Sequence, residues 1–437
     1  MQYNNKNLMD MDLDILWHPC TQMKDHENLP LIPIQRAKGV YLYDFDGNRY
    51  IDAISSWWVN ICGHCNEYIN KKVKEQIDNL EHVILAGFSH KPAIELAQRL
   101  VDITPKGLQK VFYADNGSSA IEVALKMSYH YHKNQGVDKK VFLSLTNSYH
   151  GETIGALSVG DVELYKQTYQ PLLIDNIQTP VPKDQSLSSA KEALYQLEKI
   201  LKNKGNEISA FILEPLIQGA GYMHMYHFEY LKGARELTTK YNIHLIADEI
   251  MTGFGRTGKM FACEYANITP DFICLSKGLT GGYMALSAVL TTDEIYKAFY
   301  CDYSENKAFL HSHSYTGNPI ACSAALATLD IFEQDDIIQN NQKKSKYIYE
   351  RMQKISKLPN VKEIRYQGMV FAIELAGYKP QDRIGLQVYR YALKHEVLLR
   401  PLGHIIYFMP PFIISEPEIN RMVDVAYDAI KTLKESK

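Results

Sequence analysis

Two charged residues near the middle of the chain, Asp248 and Lys277, each follow a short apolar segment. These segments, residues 243–247 and 272–275, have the length and branched side chains typical of buried strands. In a parallel sheet the carboxyl ends of neighbouring strands meet at one edge, where open α/β folds bind ligands. A lysine and a carboxylate at that edge suit pyridoxal phosphate, because the amine can form a Schiff base and the acid can keep the pyridine nitrogen protonated. The alternative is two surface charges at strand ends.

A candidate phosphate site lies earlier in the chain, between a predicted strand at residues 111–114 and a predicted helix at 120–132. The turn between them contains Gly117 and Ser118. Free backbone N–H groups and the helix dipole at such a turn bind phosphate. A Gly/Ser turn that only caps a helix has the same sequence, so the motif is informative only together with the others.

Aromatic residues and one arginine are candidates for contacts with a cofactor ring or a substrate. Tyr149 follows a predicted strand at 141–145 and either stacks on a flat ring or lies at the rim of the core. Trp57 and Trp58 are adjacent, and they form either core or the wall of an aromatic pocket. Arg400 is the only charge in an apolar segment, where it either binds a carboxylate with two parallel hydrogen bonds or is solvated at a strand edge.

The elements around these residues predict the fold class. Strand and helix patterns alternate from about residue 111 to residue 291, which indicates a mostly parallel α/β sheet. Before this region, a β-hairpin is predicted at 40–54, and helical periodicity begins at residue 70, continues through 77–85 and returns at 92–101. The last hundred residues combine polar helices with short strands.

Composition excludes several classes of protein. With 437 residues, 46% of them hydrophobic, the chain can bury a large core and is expected to form two domains. Forty-seven basic and fifty acidic residues give a net charge of −3, which offers no electrostatic support for binding nucleic acid. No segment resembles a membrane span or a signal peptide. The seven cysteines, mostly in apolar segments, predict reduced thiols and a cytoplasmic protein.

Two more motifs point to different functions, and each lacks a group that its mechanism needs. Residues 253–259 match most of a nucleotide-binding P-loop, but the position that must supply a hydroxyl to magnesium is Met260. Cys62 and Cys65 form a C-x-x-C pair without the second ligand pair of a zinc site or the βαβ setting of a redox site. Neither an ATPase nor a metal site is expected.

Two longer motifs are more specific. HLIADEIMTGFGRTG at 244–258 and LSKGLTGG at 275–282 resemble the class III pyridoxal phosphate-dependent aminotransferases, and the similarity extends from residue 17 to residue 413. The resemblance implies PLP fold type I, the α/β fold of aspartate aminotransferase, with a mostly parallel seven-stranded sheet in a large domain at 55–330. A small α+β domain would then be formed by both termini, residues 1–54 and 331–437.

The resemblance also implies roles for single residues. Lys277 would form the Schiff base and carry protons, Asp248 would pair with the pyridinium nitrogen, and Tyr149 would lie against the ring. Gly117 and Ser118 would hold the phosphate. His313 and Ser314 would complete the phosphate site of the other subunit in a homodimer. The residues of the substrate pocket would be Cys20, Trp57, Trp58, Tyr149, Ser312 and Arg400.

Within the class, the chain most resembles the biotin-pathway branch, which transfers an amino group from S-adenosylmethionine to 8-amino-7-oxononanoate. The matching pieces are Met251, WHP at 17–19, SSWW at 55–58, SYHG at 148–151, RPLG at 400–403 and MPP at 409–411. Cys20 departs from the branch, which usually has an aromatic residue there that stacks on the adenine of the donor. S-adenosylmethionine is the expected donor and lysine the alternative. Two further hypotheses are a different ω-aminotransferase, acting on another diamine or amino acid, and an inactive homologue that serves as a binding protein.

Overall fold

The computed structural model describes residues 3–29 and 31–433, which pack as two units. The terminal unit is formed by Met1–Glu67, Lys344–Arg365 and Phe371–Lys437, and the central unit by Tyr68–Lys343 and Tyr366–Val370. Both chain ends thus belong to the same unit. The domain boundaries predicted after residues 54 and 330 stay a prediction.

Helices and strands follow one another along most of the described chain. The helices are α1 (Asn5–Ile15), α2 (Ser55–Trp58), α3 (Glu67–Asn79), α4 (Lys91–Ile103), α5 (Gly117–Asn134), α6 (Ile154–Ser158), α7 (Glu163–Lys166), α8 (Leu187–Lys204), α9 (Phe228–Lys240), α10 (Asp293–Lys297), α11 (Pro319–Gln334), α12 (Ile337–Met352), α13 (Gly385–Lys394) and α14 (Glu416–Lys431). The strands are β1 (Ile34–Lys38), β2 (Tyr41–Asp44), β3 (Arg49–Asp52), β4 (Leu108–Ala114), β5 (Val141–Leu145), β6 (Asn176–Thr179), β7 (Ile208–Leu213), β8 (Ile217–Gln218), β9 (His224–Met225), β10 (His244–Asp248), β11 (Phe272–Leu275), β12 (Ser287–Thr292), β13 (Val361–Gln367), β14 (Val370–Leu375), β15 (Val397–Leu398) and β16 (Ile405–Phe408).

The central unit is built on a seven-stranded sheet with the strand order β4-β12-β11-β10-β7-β5-β6. β12 is antiparallel to its neighbours β11 and β4, whereas the remaining pairs of neighbouring strands are parallel. The predicted mostly parallel α/β sheet is therefore confirmed.

The core of the central unit forms because the middle strands are mostly apolar and buried along their whole length. Every residue of β7, β10 and β11 is buried, as expected for strands that are covered on both faces. Helix α5 packs on this sheet through Ala120, Val123 and Ala124, whose spacing of three and four residues places them on one helix face. Their side chains share a buried cluster with Ile246 of β10 and Phe272 of β11, each of which contributes about 1.5–3 kcal/mol by burial.

The terminal unit contains two smaller sheets, with the strand orders β1-β2-β3-β15 and β13-β14-β16. The predicted hairpin corresponds to β2 and β3, which pair in antiparallel orientation. Its turn is held by the buried carboxylate of Asp44, which accepts hydrogen bonds from the Asn48 N–H at 2.8 Å and the Tyr50 hydroxyl at 3.0 Å. Gly47 has a φ of 89°, which glycine adopts without steric cost.

One predicted helix, at 70–85, is wrong after residue 79. Helix α3 ends at Asn79, and the Gln76 side-chain amide donates to the Leu80 carbonyl at 2.7 Å. That carbonyl is therefore satisfied without a further helical turn. The apolar residues at 83–85 continue the helical spacing in the sequence, but in the structure they belong to an irregular connection.

Three features of the described residues bear on partners and metals. None of the helices combines the length and the apolar character that crossing a bilayer requires. No disulfide joins the cysteines, of which Cys62 is buried and Cys65 is exposed. Across the same residues there is no group of three side chains suited to hold a metal ion.

Candidate active site

The register between β10 and β11 brings the two predicted catalytic residues to one edge of the sheet. The strands are parallel, and Asp248 lies opposite Cys274. β11 ends at Leu275, and Lys277 begins the short 3-10 turn Lys277–Thr280. Lys277 has a φ of 45°, a backbone conformation that is uncommon for residues other than glycine and that clusters at functional sites.

Asp248 is buried and accepts hydrogen bonds from two donors. His150 Nδ1 lies 2.7 Å from Asp248 Oδ2, and the Ile250 N–H donates to Oδ1 at 3.1 Å. Because an ionised carboxylate only accepts hydrogen bonds, a neutral His150 carries its proton on Nδ1. Its buried Nε2 has no hydrogen-bond partner among the described residues. The sequence prediction misses His150, although it stands inside the SYHG motif beside Tyr149.

The amine of Lys277 lies in dense surroundings close to two carboxylates. Burial lowers the pKa of the Lys277 amine, while the negative charges of Asp248 and Glu214 oppose that change. The neutral amine is the form that attacks a carbonyl carbon, so a lowered pKa favours the chemistry expected of this residue.

Glu214, directly after β7, is the second buried carboxylic acid of the site. It accepts hydrogen bonds from the Tyr149 N–H at 3.0 Å and the Gly219 N–H at 2.9 Å. Burial raises the pKa of Glu214 to about 7, His150 opposes the rise, and the charge of Asp248 adds to it. In the sequence Glu214 is recognisable as an acid at a strand end, but the sequence prediction assigns it no role.

The loop that carries Tyr149 packs against the first turn of α5. Gly151 has a φ of 126°, and a Cβ at this position would lie 2.0 Å from Ser118 Oγ. Only glycine allows this close approach. The Glu152 N–H donates to Ser118 Oγ at 3.4 Å, and the Tyr149 hydroxyl donates to Glu152 Oε1 at 3.1 Å. Tyr149 and the predicted phosphate-binding residue Ser118 are therefore held on neighbouring segments.

The N-terminus of α5 offers free backbone donors. Asn116 Oδ1 accepts from the Ser119 N–H at 3.0 Å, whereas no acceptor of the described chain takes the N–H of Gly117 or Ser118. A Cβ at Gly117 would lie 3.1 Å from the side chain of Ile250, so this helix end packs closely against the segment after β10. An anion site thus lies next to the strand that ends in Asp248.

These groups fit pyridoxal phosphate at each of its polar ends. Gly117 and Ser118 supply donors for a phosphate, and the buried carboxylate of Asp248 suits a protonated ring nitrogen. Lys277 supplies an amine for the aldehyde. Among the described residues these three functions come from separate segments that one sheet edge brings together.

The predicted substrate residues of the terminal unit have different environments. Trp58 is 6% exposed and belongs to the core, whereas Trp57 is 41% exposed. The guanidinium carbon of Arg400 lies 4.2 Å from the centre of the Trp57 ring, which is a cation–π arrangement. Cys20 is exposed and has a φ of 51°. The sequence is compatible with either a core or a pocket position for the two tryptophans, and the structure buries Trp58 and leaves Trp57 exposed beside Arg400.

Three further predicted residues precede α11 in the central unit. Ser312 and Ser314 are exposed. The His313 carbonyl accepts from the Thr316 hydroxyl at 2.8 Å. The His313 ring nitrogen Nδ1 accepts from the Tyr315 N–H at 3.2 Å. The His313 N–H also donates to the Thr316 hydroxyl at 3.2 Å, so these hydrogen bonds of His313 lie within the loop. The structure therefore brings Gly117, Ser118, Tyr149, Asp248 and Lys277 to one edge of the sheet, whereas the roles of residues 312–314 stay a prediction.

The P-loop hypothesis does not agree with the local structure. A P-loop opens directly into a helix, but residues 253–259 form buried turns that end in the 3-10 turn Ala262–Tyr265. The Gly255 N–H is engaged with the Met260 carbonyl at 3.3 Å. This segment is therefore not arranged to bind a triphosphate.

Comparisons with known sequences agree on one family. A family model described as "Aminotransferase class-III" matches residues 21–430. The adenosylmethionine-8-amino-7-oxononanoate aminotransferase of Helicobacter pylori is 56% identical over 424 residues, which is 96% of each chain. The protein of the same name from Geobacter sulfurreducens is 42% identical over 447 residues and 99% of each chain.

Solved structures of similar proteins have the same fold. The crystal structure of adenosylmethionine-8-amino-7-oxononanoate aminotransferase from Methanocaldococcus jannaschii aligns with a TM-score of 0.95 and 39% identity, and covers 98% of this chain and 99% of that one. The ω-transaminase of Pseudomonas jessenii in complex with PMP aligns with a TM-score of 0.91 and 29% identity over 97% of each chain.

Proposed function

The chain belongs to the class III aminotransferases and depends on pyridoxal phosphate, and we propose that it transfers an amino group from S-adenosylmethionine to 8-amino-7-oxononanoate in biotin biosynthesis. The product would be 7,8-diaminononanoate. The observation that supports the chemistry best is the placement of Lys277 beside the buried Asp248–His150 pair. The choice of substrates is supported by the relatives of this name, which match nearly the whole chain.

Each residue of the site would have one physical task. Bound pyridoxal phosphate supplies an electron sink for the negative charge left when a proton leaves the substrate carbon. Lys277 would hold the cofactor and then carry the proton between the substrate carbon and the cofactor carbon. Asp248 would keep the ring nitrogen protonated, and His150 would hold Asp248 in place through the 2.7 Å hydrogen bond. Gly117 and Ser118 would bind the phosphate through the free N–H groups of α5.

The roles of the substrate residues are carried over from the family resemblance, residue by residue. Arg400 would bind a substrate carboxylate, because a guanidinium matches that group with two parallel hydrogen bonds. By resemblance, Trp57, Tyr149 and Ser312 would each contact the substrate, whereas Trp58 lies in the core. His313 and Ser314 would act on the phosphate of the partner site, so the working form would be a homodimer in the cytoplasm. The exposure of Ser314 is consistent with a task outside its own chain.

The amino donor is the least constrained part of the proposal. Cys20 presents a small polarizable sulfur where an aromatic ring would stack on adenine. S-adenosylmethionine remains the proposed donor, and lysine is the alternative, because the resemblance implies that some relatives which replace the stacking residue use it. The two candidate donors would change only the first half-reaction, in which the cofactor receives the amino group.

Two measurements test the proposal. Borohydride should attach the cofactor permanently to Lys277 in the native protein and in the control Lys259→Ala, but not in Lys277→Ala. Lys259 is a suitable control because its amine is bonded outside the site, to the Glu264 carbonyl at 3.1 Å. The protein should then convert 8-amino-7-oxononanoate to 7,8-diaminononanoate when S-adenosylmethionine is supplied. Label on another lysine would refute the site, and conversion with lysine alone would refute the donor.

A further inference from the structure

The short turn α2 has a left-handed backbone at every residue. The φ angles of Ser55, Ser56, Trp57 and Trp58 are 49°, 44°, 73° and 74°. L-amino acids disfavour this region because Cβ approaches the following carbonyl oxygen. A run of such residues persists only where the surrounding structure fixes it, and conformations of this kind cluster at ligand sites.

The two ends of the turn are fixed by buried hydrogen bonds to the segment around β16. The Ser55 hydroxyl donates to the Met409 carbonyl at 2.7 Å. Trp58 Nε1 donates to the Tyr407 hydroxyl at 3.2 Å, and the two rings pack edge to face. These contacts hold Trp58 in the core of the terminal unit.

The middle of the turn is fixed by a buried carboxylate. Asp52 has no exposed surface, and its Oδ2 accepts both the Ser56 hydroxyl at 2.7 Å and His64 Nε2 at 2.9 Å. Its Oδ1 accepts the Ile54 N–H at 3.3 Å. All three donors therefore converge on one carboxylate, a group that can only accept.

His64 links this carboxylate back to the start of the turn. A neutral His64 that donates from Nε2–H to Asp52 has its second ring nitrogen, Nδ1, available as an acceptor. Nδ1 lies 2.6 Å from the Asn60 side-chain amide. The Asn60 backbone N–H in turn donates to the Ser55 carbonyl at 3.1 Å. Ser56, Asp52, His64 and Asn60 thus form a closed chain of hydrogen bonds around the turn.

The conformation of the turn decides which way each tryptophan faces. Trp58 is buried, whereas the preceding ring, Trp57, is exposed and has the Arg400 guanidinium carbon 4.2 Å from its centre. A guanidinium held against a ring loses little further freedom when it binds a carboxylate, so affinity depends on keeping Trp57 in place.

We propose that Asp52 and His64 are positioning residues, which hold the left-handed turn and thereby present Trp57 and Arg400 together to the carboxylate of a substrate. They do not touch the substrate themselves. The proposal rests on the proposed function, because Arg400 is taken as the group that binds the carboxylate.

Asp52→Asn tests the pair because no orientation of the amide satisfies all three donors. Its NH₂ group would face either the Ile54 N–H or the donors of Ser56 and His64. The expected result is a KM for 8-amino-7-oxononanoate about tenfold higher, the scale of one hydrogen bond to a charged group. We expect kcat to change less than about threefold, because the residues around Lys277 are untouched.

The matched control is Asp44→Asn, the same exchange at a buried carboxylate of the terminal unit. Asp44 holds the β2–β3 turn and makes no hydrogen bond to α2. The variant should keep the native KM even if its melting temperature falls. His64→Ala should raise KM as Asp52→Asn does, and His64→Gln, which restores a donor, should recover part of the loss.

A second readout is independent of turnover. In a Trp17→Phe background, acrylamide quenching of the cofactor-free protein should rise in Asp52→Asn, because Trp57 loses its fixed contact with Arg400, and should stay unchanged in Asp44→Asn. If Asp52→Asn does not fold, Ser56→Ala, which removes a single hydrogen bond at a partly exposed residue, should show the same changes to a smaller extent.

The outcomes separate this proposal from the proposed function. A native protein that does not act on 8-amino-7-oxononanoate would refute the function, and quenching would still test the positioning. The positioning role would be overturned if the native protein converts 8-amino-7-oxononanoate while Asp52→Asn and Asp44→Asn have the same KM and the same quenching. An equal fall of kcat and kcat/KM without a change in KM would overturn it as well, because that result places the pair in the chemical step.

Discussion

Replacing Glu214 by glutamine should remove a pH dependence of stability that the buried acid imposes on the cofactor-free protein. Burial raises the pKa of Glu214 from 4.5 to about 7. Folding therefore favours the protonated acid. The stability gained from this preference is fully present below pH 4.5 and is lost as the pH rises through 7, where the carboxylate must ionise inside the protein.

The size of the effect follows from the change in pKa. About 2.5 pKa units at about 1.36 kcal/mol each give about 3 kcal/mol over the whole range, of which about 2 kcal/mol is lost between pH 5 and pH 7. No discount for solvent screening applies, because the carboxyl group is buried. Glutamine keeps the shape and one acceptor but cannot ionise, so the variant should lack this loss.

Urea unfolding of the cofactor-free protein at several pH values between 5 and 8.5 measures the difference. The native free energy of unfolding should fall with pH relative to that of Glu214→Gln, and the two curves should diverge mainly below pH 7. Glu192→Gln, at an exposed position on α8, should retain the native pH dependence. Parallel curves for the native protein and Glu214→Gln would refute the assignment of a raised pKa to this acid.

Three further substitutions test the cofactor and donor contacts. Asp248→Asn should leave the fold intact and lower kcat strongly, because an amide cannot hold the pyridinium proton as a carboxylate does; kinetics like those of the native enzyme would mean that another group protonates the ring. Ser314→Ala should weaken retention of the cofactor by about 1.5–3 kcal/mol, measured by dialysis and absorbance, and an unchanged affinity would exclude its contact with the phosphate. Cys20→Tyr should lower KM for S-adenosylmethionine several-fold, since a stacked ring contributes about 0.5–1.5 kcal/mol, and should leave KM for 8-amino-7-oxononanoate nearly constant. An unchanged KM for the donor would place adenine elsewhere.

The fold class follows from the sequence because buried parallel strands appear as unbroken apolar segments separated by amphipathic helices. β10 and β11 are of this kind, and the apolar pattern predicts each within one residue of its observed bounds. The direction of β12 could not be predicted, since a strand buried on both faces has the same composition whichever way it runs. Its orientation depends on how the chain returns to the sheet, which apolar periodicity does not record.

The candidate site is predictable to the extent that it depends on strand ends. Asp248 and Lys277 follow neighbouring parallel strands, so their proximity follows from topology alone. His150 is 98 positions from Asp248, and its contact depends on how the loop after β5 packs, which one sequence does not reveal. The different exposure of Trp57 and Trp58 depends on the left-handed turn, which follows neither helical nor strand periodicity.

The charges of the central site explain why a cationic ring suits it. Asp248 and Glu214 place two acids close together in buried surroundings, and their mutual repulsion is one reason why the pKa of Glu214 is raised. Burial also lowers the pKa of the Lys277 amine, while the charges of the two acids oppose that change. A protonated pyridine nitrogen at Asp248 would relieve this excess of negative charge, whereas the free N–H groups of α5 are placed to take a phosphate. The site is therefore matched to a ligand that is positive at one end and negative at the opposite end, and burial leaves the lysine amine ready to react between them.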